Sequence, residues 1–347
     1  GYNNGPRCTP LLTEDRCFTL GAEGKLTAVE LATGKQLWQR DTAKDFQVPE
    51  AFFGVGSTPL LENGLLITMV GAQTNAGVVA FEAATGRTVW ASVGADNWTG
   101  QPMHGWPGER TVVWKSWDKQ ASYASPVAAT VHGRRVVLCL MRQGLVALDP
   151  ADGRVLDSFW FRATVEESVN AINPVVSGNH VFISAAYYNV GSVLLELTEE
   201  FKFREVWRDP EARGRTPNLE IHWTTPILHD GHVFAFSGRD EPDASFRCVE
   251  LLTNRLKWER DESWRRSRTP PNVFGRGSTI LADGKLFALG EAGLLGLFRP
   301  DTGKVSELGR WQVPELRYPC WAAPVLADKR LYLRSEDRLV CLDAAAR

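Results

Sequence analysis

The stretch Leu26–Trp38, LTAVELATGKQLW, decides the fold of this chain, because versions of it recur along the whole sequence. An apolar run leads to an acidic residue, then to a turn with glycine, then to a second run that ends in tryptophan. The acidic side chain can accept backbone N–H bonds inside the turn, and glycine supplies a positive φ. The seven copies begin at Leu26, Val78, Leu145, Val193, Phe246, Leu294 and Leu339.

A second block precedes each copy and reads as a proline, an apolar pair, a turn and an apolar strand, as in TPLLENGLLITM around Pro59. The two blocks together predict four short strands per repeat, which we call A to D from inside to outside. Four-stranded sheets repeated radially make a β-propeller. The sequence therefore predicts an all-β, seven-bladed β-propeller of four-stranded antiparallel blades in a single domain spanning 1–347. The expected blades cover 6–46, 54–94, 124–164, 170–210, 221–261, 274–313 and 320–347.

The last copy stops at Arg347 before any tryptophan strand, so the last blade should lack its outer strand in this chain. We expect residues upstream of Gly1 to supply that strand and to raise thermal stability by capping an open edge. A naturally three-stranded last blade is the alternative.

Composition narrows the class of partner. Lys and Arg total 39 and Asp and Glu total 41, which gives a net charge of −2. Proteins that bind nucleic acid usually carry an excess of basic residues, so this balance argues against a nucleic-acid partner. The chain has no run of about 18 apolar residues, so no membrane span is predicted.

The turn resembles the repeat of the pyrroloquinoline-quinone (PQQ) dehydrogenase type of β-propeller. Ala28, Glu30, Thr33, Gly34 and Trp38 match its Ala-x-Asp-x-x-Thr-Gly-x-x-x-Trp pattern, and the copy that ends at Trp90 matches it equally well. The resemblance implies the fold but not one function, because this repeat builds dehydrogenases, an outer-membrane assembly lipoprotein and uncharacterised secreted propellers. The closing stretch is most similar to the secreted group. The resemblance thus implies a periplasmic or extracellular protein whose signal peptide is removed.

The six cysteines contain no Cys-x-x-Cys motif and no adjacent Cys-Cys pair of the kind that the quinone enzymes of this family carry. Cys248 and Cys341 take the strand C position of Ala28, which favours a small buried side chain. Free thiols are favoured throughout, and a disulfide between Cys8 and Cys320 remains the alternative.

One mouth of the central channel is the candidate site. The residues three positions before the strand A proline, or before its equivalent Thr279, are Arg7, Gly56, Tyr123, Ala171, Trp223, Arg276 and Trp321. Asn170 and His222 come one residue earlier, while Asn75 and Arg239 lie on loops between strands B and C. The predicted ligand-binding residues are Arg7, Asn75, Tyr123, Asn170, His222, Trp223, Arg239, Arg276 and Trp321. Arginine beside aromatic rings suits a sugar, a planar anion or a peptide carboxylate. Plugging the channel is the alternative role, and Glu241 and Glu291 are the expected partners of the arginines.

A long insertion at 93–122, rich in tryptophan, is predicted to form a hairpin lid between two blades, and packing over the rim without a functional role is the alternative. The chain has no Gly-x-Ser-x-Gly, His-Glu-x-x-His or Walker motif. The sequence therefore favours a non-catalytic binding or scaffold propeller outside the cytoplasm, without a cofactor, that holds a protein or carbohydrate ligand at the channel mouth. The alternatives are a quinoprotein-like oxidoreductase with PQQ and Ca²⁺, an envelope protein-assembly partner and a propeller hydrolase.

Overall fold

A computed structural model describes residues 7–48, 54–72, 75–94, 98, 121–163, 168–209, 217–264 and 272–345. In these ranges the strands form seven sheets, six of four strands and one of three, and each sheet takes its strands from consecutive sequence. This arrangement confirms the predicted all-β, seven-bladed β-propeller with a three-stranded last blade. The long insertion 93–122 lies almost wholly outside the described residues, so the hairpin lid stays a prediction.

Two compact units make up the chain. Unit one is Gly1–Ile183 with Leu195–Val206, and unit two is Ser184–Leu194 with Trp207–Arg347. That all seven blades form a single domain stays a prediction. None of the helices in the described ranges has the length and apolar character needed to cross a bilayer.

Blades one to three belong to unit one. Their strands are β1 Leu11–Leu12, β2 Arg16–Leu20, β3 Lys25–Glu30, β4 Gln36–Asp41, β5 Leu60–Glu62, β6 Leu65–Thr68, β7 Val78–Glu82, β8 Thr88–Ser92, β9 Val127–Val131, β10 Arg134–Leu140, β11 Gly144–Leu148 and β12 Val155–Trp160. A one-turn helix, α1, follows β4 at Thr42–Asp45. Blade four contributes to both units and consists of β13 Val175–Ser177, β14 His180–Ala185, β15 Gly191–Leu197 and β16 Phe203–Arg208.

Blades five to seven belong to unit two. Their strands are β17 Ile227–His229, β18 His232–Ser237, β19 Ser245–Glu250, β20 Arg255–Asp261, β21 Ser278–Ala282, β22 Lys285–Leu289, β23 Leu294–Arg299, β24 Ser306–Gln312, β25 Val325–Ala327, β26 Arg330–Arg334 and β27 Leu339–Asp343. Two short 3₁₀ turns, Tyr187–Asn189 and Glu241–Asp243, lie between strands B and C of blades four and five.

The tryptophan at the end of the repeat joins one blade to the next. The indole N–H of Trp38 donates to the carbonyl of Ala83, and that of Trp90 donates to Pro150, both at 3.1 Å. In unit two Trp258 donates in the same way to Asp301 at 2.9 Å. Each acceptor lies in the turn of the following blade, so the repeated tryptophan is a structural residue that sets the spacing of the blades.

The turn needs a glycine for two reasons, the positive φ at this position and the close contact with the tryptophan ring. Gly86 has a φ of +73°, and a Cβ placed on it would lie 2.7 Å from the Trp38 ring. Any side chain here would therefore clash with the indole. The acidic residue differs from expectation, because Glu30 and Glu82 accept a bond from the hydroxyl of Thr33 and Thr85 rather than from the turn backbone.

Asp149, whose side chain is shorter, does accept a backbone N–H as expected, from Ala151 at 3.0 Å. The turn of Asp149 has Asp152 at the position of Thr33 and Thr85, so it offers no hydroxyl to the acidic side chain. The two acidic residue types therefore close the same turn in two ways.

The burial of a cysteine on strand C depends on whether a fourth strand pairs with that strand. All six cysteines are free thiols, so the alternative of a Cys8–Cys320 disulfide is not adopted. Cys248 is fully buried on β19, as predicted, but Cys341 is exposed on β27, so the prediction of a buried side chain there is wrong. The reason is structural: β20 pairs with β19 and places Trp258 opposite Cys248, whereas no described strand pairs with the outer side of β27.

Candidate functional site

Seven aromatic side chains of unit two form a continuous line of ring contacts, which we call the aromatic belt. The rings belong to the loop between β14 and β15, to the segments that precede strands β17 and β25, and to the connection that follows β20. In order along the belt they are Tyr188, Tyr187, His222, Trp223, Trp321, Tyr318 and Trp264. Neighbouring ring centroids are 4.9 to 6.1 Å apart, within the range of favourable aromatic pairs.

Arg276 lies against the middle of the belt, where every nitrogen of its guanidinium meets an acceptor. Nε and Nη2 donate to the two carboxylate oxygens of Glu291 at 3.2 and 2.9 Å, and Nη2 also forms an ion pair of 3.2 Å with Glu241. Nη1 donates to His222 Nδ1 at 3.1 Å and to the carbonyl of Arg239 at 2.6 Å. The predicted partnership of this arginine with Glu241 and Glu291 is therefore present.

Burial explains why this pairing must be complete. The Glu291 side chain is wholly buried, and its carboxylate also accepts the backbone N–H of Arg276 at 2.9 Å. A charge removed from water is tolerated only when it is paired and hydrogen-bonded. The Arg276 guanidinium also lies 4.6 Å from the centroid of the Trp223 ring, a cation–π distance. Arg276 is thus saturated by the protein itself and organises the belt.

His222 is a neutral member of the belt. Arginine can only donate, so His222 Nδ1 accepts from Arg276, and the ring proton is on Nε2, which donates to the Tyr187 hydroxyl at 3.1 Å. Burial, reinforced by the positive charge of Arg276, lowers the pKa of His222 to about 3. The imidazole is therefore unprotonated at neutral pH, and it positions the rings on either side of it.

Trp321 presents the open face of the belt. Its ring is 49% exposed, yet its indole N–H donates to Glu291 at 3.1 Å, so the ring orientation is fixed although half of it meets solvent. The Tyr318 hydroxyl donates to Glu241 at 3.1 Å and fixes the next ring in the same way. A large aromatic surface is thus held rigid at the solvent boundary.

Arg239 is bound differently from Arg276. Its guanidinium carbon lies 5.1 Å from the Tyr187 ring centroid and 4.9 Å from that of Tyr188. Tyr188 has a φ of 56° and a ψ of 40°, a left-handed backbone conformation that is strained for a bulky residue. Within the described ranges, no carboxylate or carbonyl accepts a hydrogen bond from the Arg239 side chain.

The candidates of unit one have other surroundings. Asn170 is buried, and its amide nitrogen donates to the carbonyls of Met141 at 2.9 Å and Phe161 at 3.0 Å. The Tyr123 backbone N–H donates to the Asn170 carbonyl at 3.0 Å, while Arg7 and Asn75 are exposed. Asn170 therefore ties backbone segments together.

The structure thus brings five of the nine candidates into one network, namely His222, Trp223, Arg239, Arg276 and Trp321. Sequence reasoning missed Tyr318 and Trp264, because neither lies three residues before a strand A proline. Their only sequence signal is that both are aromatic residues in segments between blades. Among the described residues, no three His, Cys, Asp or Glu side chains are grouped closely enough to hold a metal ion.

Comparison with known proteins gives a family and a fold. The family model described as outer membrane protein assembly factor BamB matches residues 3–260. The solved structure of BamB from Moraxella catarrhalis has a TM-score of 0.62 at 16% identity, covering 96% of this chain and 81% of that one. A search of curated proteins found no match.

Two further solved structures are similar in fold. The quinohemoprotein alcohol dehydrogenase of Comamonas testosteroni has a TM-score of 0.57 at 13% identity, with 96% of this chain and 63% of that one covered. The WD40 repeats of RRP9 have a TM-score of 0.53 at 11% identity, with 94% and 86% covered. At these identities the similarity concerns the fold alone.

Proposed function

The chain belongs to the family described as outer membrane protein assembly factor BamB, and on that premise we propose that it is a non-catalytic scaffold acting outside the cytoplasm. Its aromatic belt binds a segment of a partner protein. The proposal favours the envelope assembly role among the alternatives that the sequence leaves open.

The observation that carries the proposal is the half-exposed Trp321 ring, whose orientation the buried Glu291 fixes. Tryptophan, tyrosine and arginine dominate the residues on which protein interfaces depend. A surface already held in its bound orientation loses little side-chain entropy when a partner docks. The belt and its two arginines provide such a surface in unit two.

The same network is unsuited to acid–base chemistry. A general base works best with a pKa near the operating pH, whereas the pKa of His222 is lowered to about 3 and its Nδ1 already accepts from Arg276. Glu291 is buried and paired with Arg276. His222 is therefore not placed to give or take a proton at neutral pH.

The donor set of this site also does not fit PQQ. A quinone carrying several carboxylates needs several cationic side chains with free donors. The nitrogens of Arg276 are engaged by Glu291, Glu241, His222 and the Arg239 carbonyl, which leaves Arg239 as the single arginine of the described belt with donors to offer. The chain also lacks the adjacent cysteines of the quinone enzymes that its repeat resembles. We therefore propose that the belt does not bind that cofactor.

Two tryptophans of equal exposure provide the test. Trp321 on the belt is 49% exposed and Trp311 on the outer strand β24 is 47% exposed. The tagged protein and its Trp321→Ala and Trp311→Ala variants would be used to capture proteins from an envelope fraction, with quantification by mass spectrometry. We expect a captured protein whose binding falls about 30-fold in Trp321→Ala, as for an interface anchor worth about 2 kcal/mol, and is unchanged in Trp311→Ala.

Equal capture by both variants would contradict the proposal, as would a blank with the unmodified protein. Trp311→Ala should melt close to the parent, whereas Trp321→Ala removes a donor from the buried Glu291 and should melt somewhat lower, so capture is compared at a temperature at which both variants are fully folded. Binding of a neutral oligosaccharide that depends on Trp321, without any protein partner, would assign the belt to carbohydrate instead.

A further inference from the structure

We propose that Arg239 is the anchor for a carboxylate of the bound peptide segment. The inference rests on the proposed function, because it specifies which chemistry the partner presents to the belt. It starts from a difference between the two belt arginines: Arg276 has an acceptor at every nitrogen, whereas the contacts of the Arg239 side chain are with the faces of two rings.

The stacking leaves the hydrogen-bonding edge of Arg239 available. A guanidinium that lies on aromatic faces keeps its N–H donors in its own plane, directed away from the rings. A carboxylate matches two parallel N–H groups of that plane in a bidentate pair. Because Tyr187 and Tyr188 already hold the guanidinium carbon within about 5 Å of their rings, less side-chain entropy is lost on pairing.

The nearby charged side chains favour Arg239 over other parts of the belt as the partner of an incoming carboxylate. Glu241 and Glu291 are committed to Arg276, Tyr318 and Trp321. Asp240 and Asp243 are exposed beside Arg239, and neither forms an ion pair with it among the described residues. Removal of the Asp240 charge should therefore strengthen the binding of an acidic segment modestly.

The belt also sets the spacing of the partner's residues. From Tyr187 through His222 and Trp223 to Trp321, the successive ring centroids span at most ~16 Å. The Arg239 guanidinium lies a further 5.1 Å from the Tyr187 ring, and an extended chain advances about 3.3 Å per residue, so a side chain on Trp321 lies at most about six residues from one at Arg239. The segment that fits is thus an extended peptide with an acidic residue at one end and an apolar aromatic residue within about six positions, and a spacing of four lies inside this limit.

The test uses two capped pentapeptides, acetyl-Glu-Thr-Ser-Thr-Phe-amide and its counterpart with Gln in place of Glu. Titration calorimetry at low salt would measure the affinity of each for the unmodified protein. We expect the Glu peptide to bind about tenfold more tightly, and we expect this preference to weaken at high salt. A third peptide, the Gln sequence with a free carboxyl terminus, tests whether a chain end can supply the carboxylate instead of a side chain.

Three variants decide the assignment. Arg239→Gln should abolish the preference for Glu, so that the Glu peptide and the capped Gln peptide bind this variant with equal affinity. Arg299→Gln removes the same charge from an exposed end of β23 in the same unit and should keep the preference. Asp240→Asn should raise the affinity for the Glu peptide about twofold. All three should melt near the temperature of the parent.

The outcomes separate this inference from the function on which it rests. If the Glu and capped Gln peptides bind equally and both lose affinity in Trp321→Ala, the belt binds peptides and Arg239 is not the anchor. If Arg299→Gln loses the preference as fully as Arg239→Gln, the effect is long-range charge and the inference is overturned. If no peptide binds at millimolar concentration, both the inference and peptide recognition by the belt are overturned.

Discussion

The segments before strand A differ sharply between the two units, although they occupy the same position in the repeat. In unit one, Asn170 and Tyr123 join backbone groups to one another, and a Cβ on Gly56 would lie 2.8 Å from the Tyr123 ring. In unit two, Trp223 and Arg276 occupy the equivalent positions and belong to a network of charges and rings. One position of the repeat therefore makes backbone and packing contacts in unit one and belongs to a network of charges and rings in unit two.

The difference teaches which contacts identify a recognition surface. Hydrogen bonds from a buried amide to backbone carbonyls leave no donors for a partner, so they stabilise the fold and nothing else. In unit two, a buried ion pair holds the stacked rings in place, so their exposed faces are already oriented for a partner. The comparison predicts that the most destabilising substitutions in unit two are those that break the ion pair. In unit one they should be those that remove hydrogen bonds to backbone groups or disturb packing.

The largest expected effect is that of Arg276→Ala. It leaves the buried Glu291 carboxylate unpaired, which should lower the free energy of unfolding by about 3–5 kcal/mol. Asn170→Ala in unit one leaves the Met141 and Phe161 carbonyls without their donor and should cost about 1–3 kcal/mol. Urea unfolding followed by circular dichroism measures both. A smaller loss for Arg276→Ala than for Asn170→Ala would reverse the comparison.

The next effect is a pH dependence special to unit two. Because the folded-state pKa of His222 is about 3, the unfolded chain binds a proton there below about pH 6.5 that the folded protein does not. Stability should therefore rise with pH between about 3 and 6.5. Burial raises the pKa of Glu220 to about 7, so the folded protein keeps a proton there that the unfolded chain loses above about pH 4.5. Stability should therefore fall as pH rises from about 4.5 to 7.

These two effects oppose each other between about pH 4.5 and 6.5, each by about 1 kcal/mol per pH unit. His222→Gln should make the free energy of unfolding fall more steeply as pH rises, and Glu220→Gln should make it rise. Urea midpoints at three pH values across that window would measure the slopes. Slope changes of the same sign in both variants would show that the burial of at least one group is wrong.

A smaller effect concerns packing in unit one. Gly56→Ala pushes a methyl group into the Tyr123 ring and should destabilise the protein by about 1–2 kcal/mol. Gly309→Ala is the matched control in unit two, because nothing lies within 4 Å of its added Cβ, and it should change stability by less than about 0.5 kcal/mol. Thermal melts of the two variants suffice. A neutral Gly56→Ala would mean that the Tyr123 ring moves freely and does not hold this segment in place.

The sequence predicts the fold well because each repeat carries its own strand and turn signals. The same register led to Trp223, Arg276 and Trp321, and the expected carboxylate partners of Arg276 are present. Tyr318 and Trp264 could not be found in this way, because their contacts arise from loops of different blades. The exposure of Cys341 was mispredicted for a different reason: its strand C position was compared with that of Ala28, although the same sequence predicts that the last blade lacks the outer strand that covers this position.

The central claim, that the belt of unit two is the recognition surface, is tested most directly by hydroxyl-radical footprinting of the protein with and without its captured partner. Trp321 and Trp311 start from nearly equal exposure, 49% and 47%, so their oxidation can be compared within one sample. The account predicts that partner binding protects Trp321 severalfold and leaves Trp311 unchanged. Protection of Trp311 with Trp321 still oxidised at its free rate would contradict it.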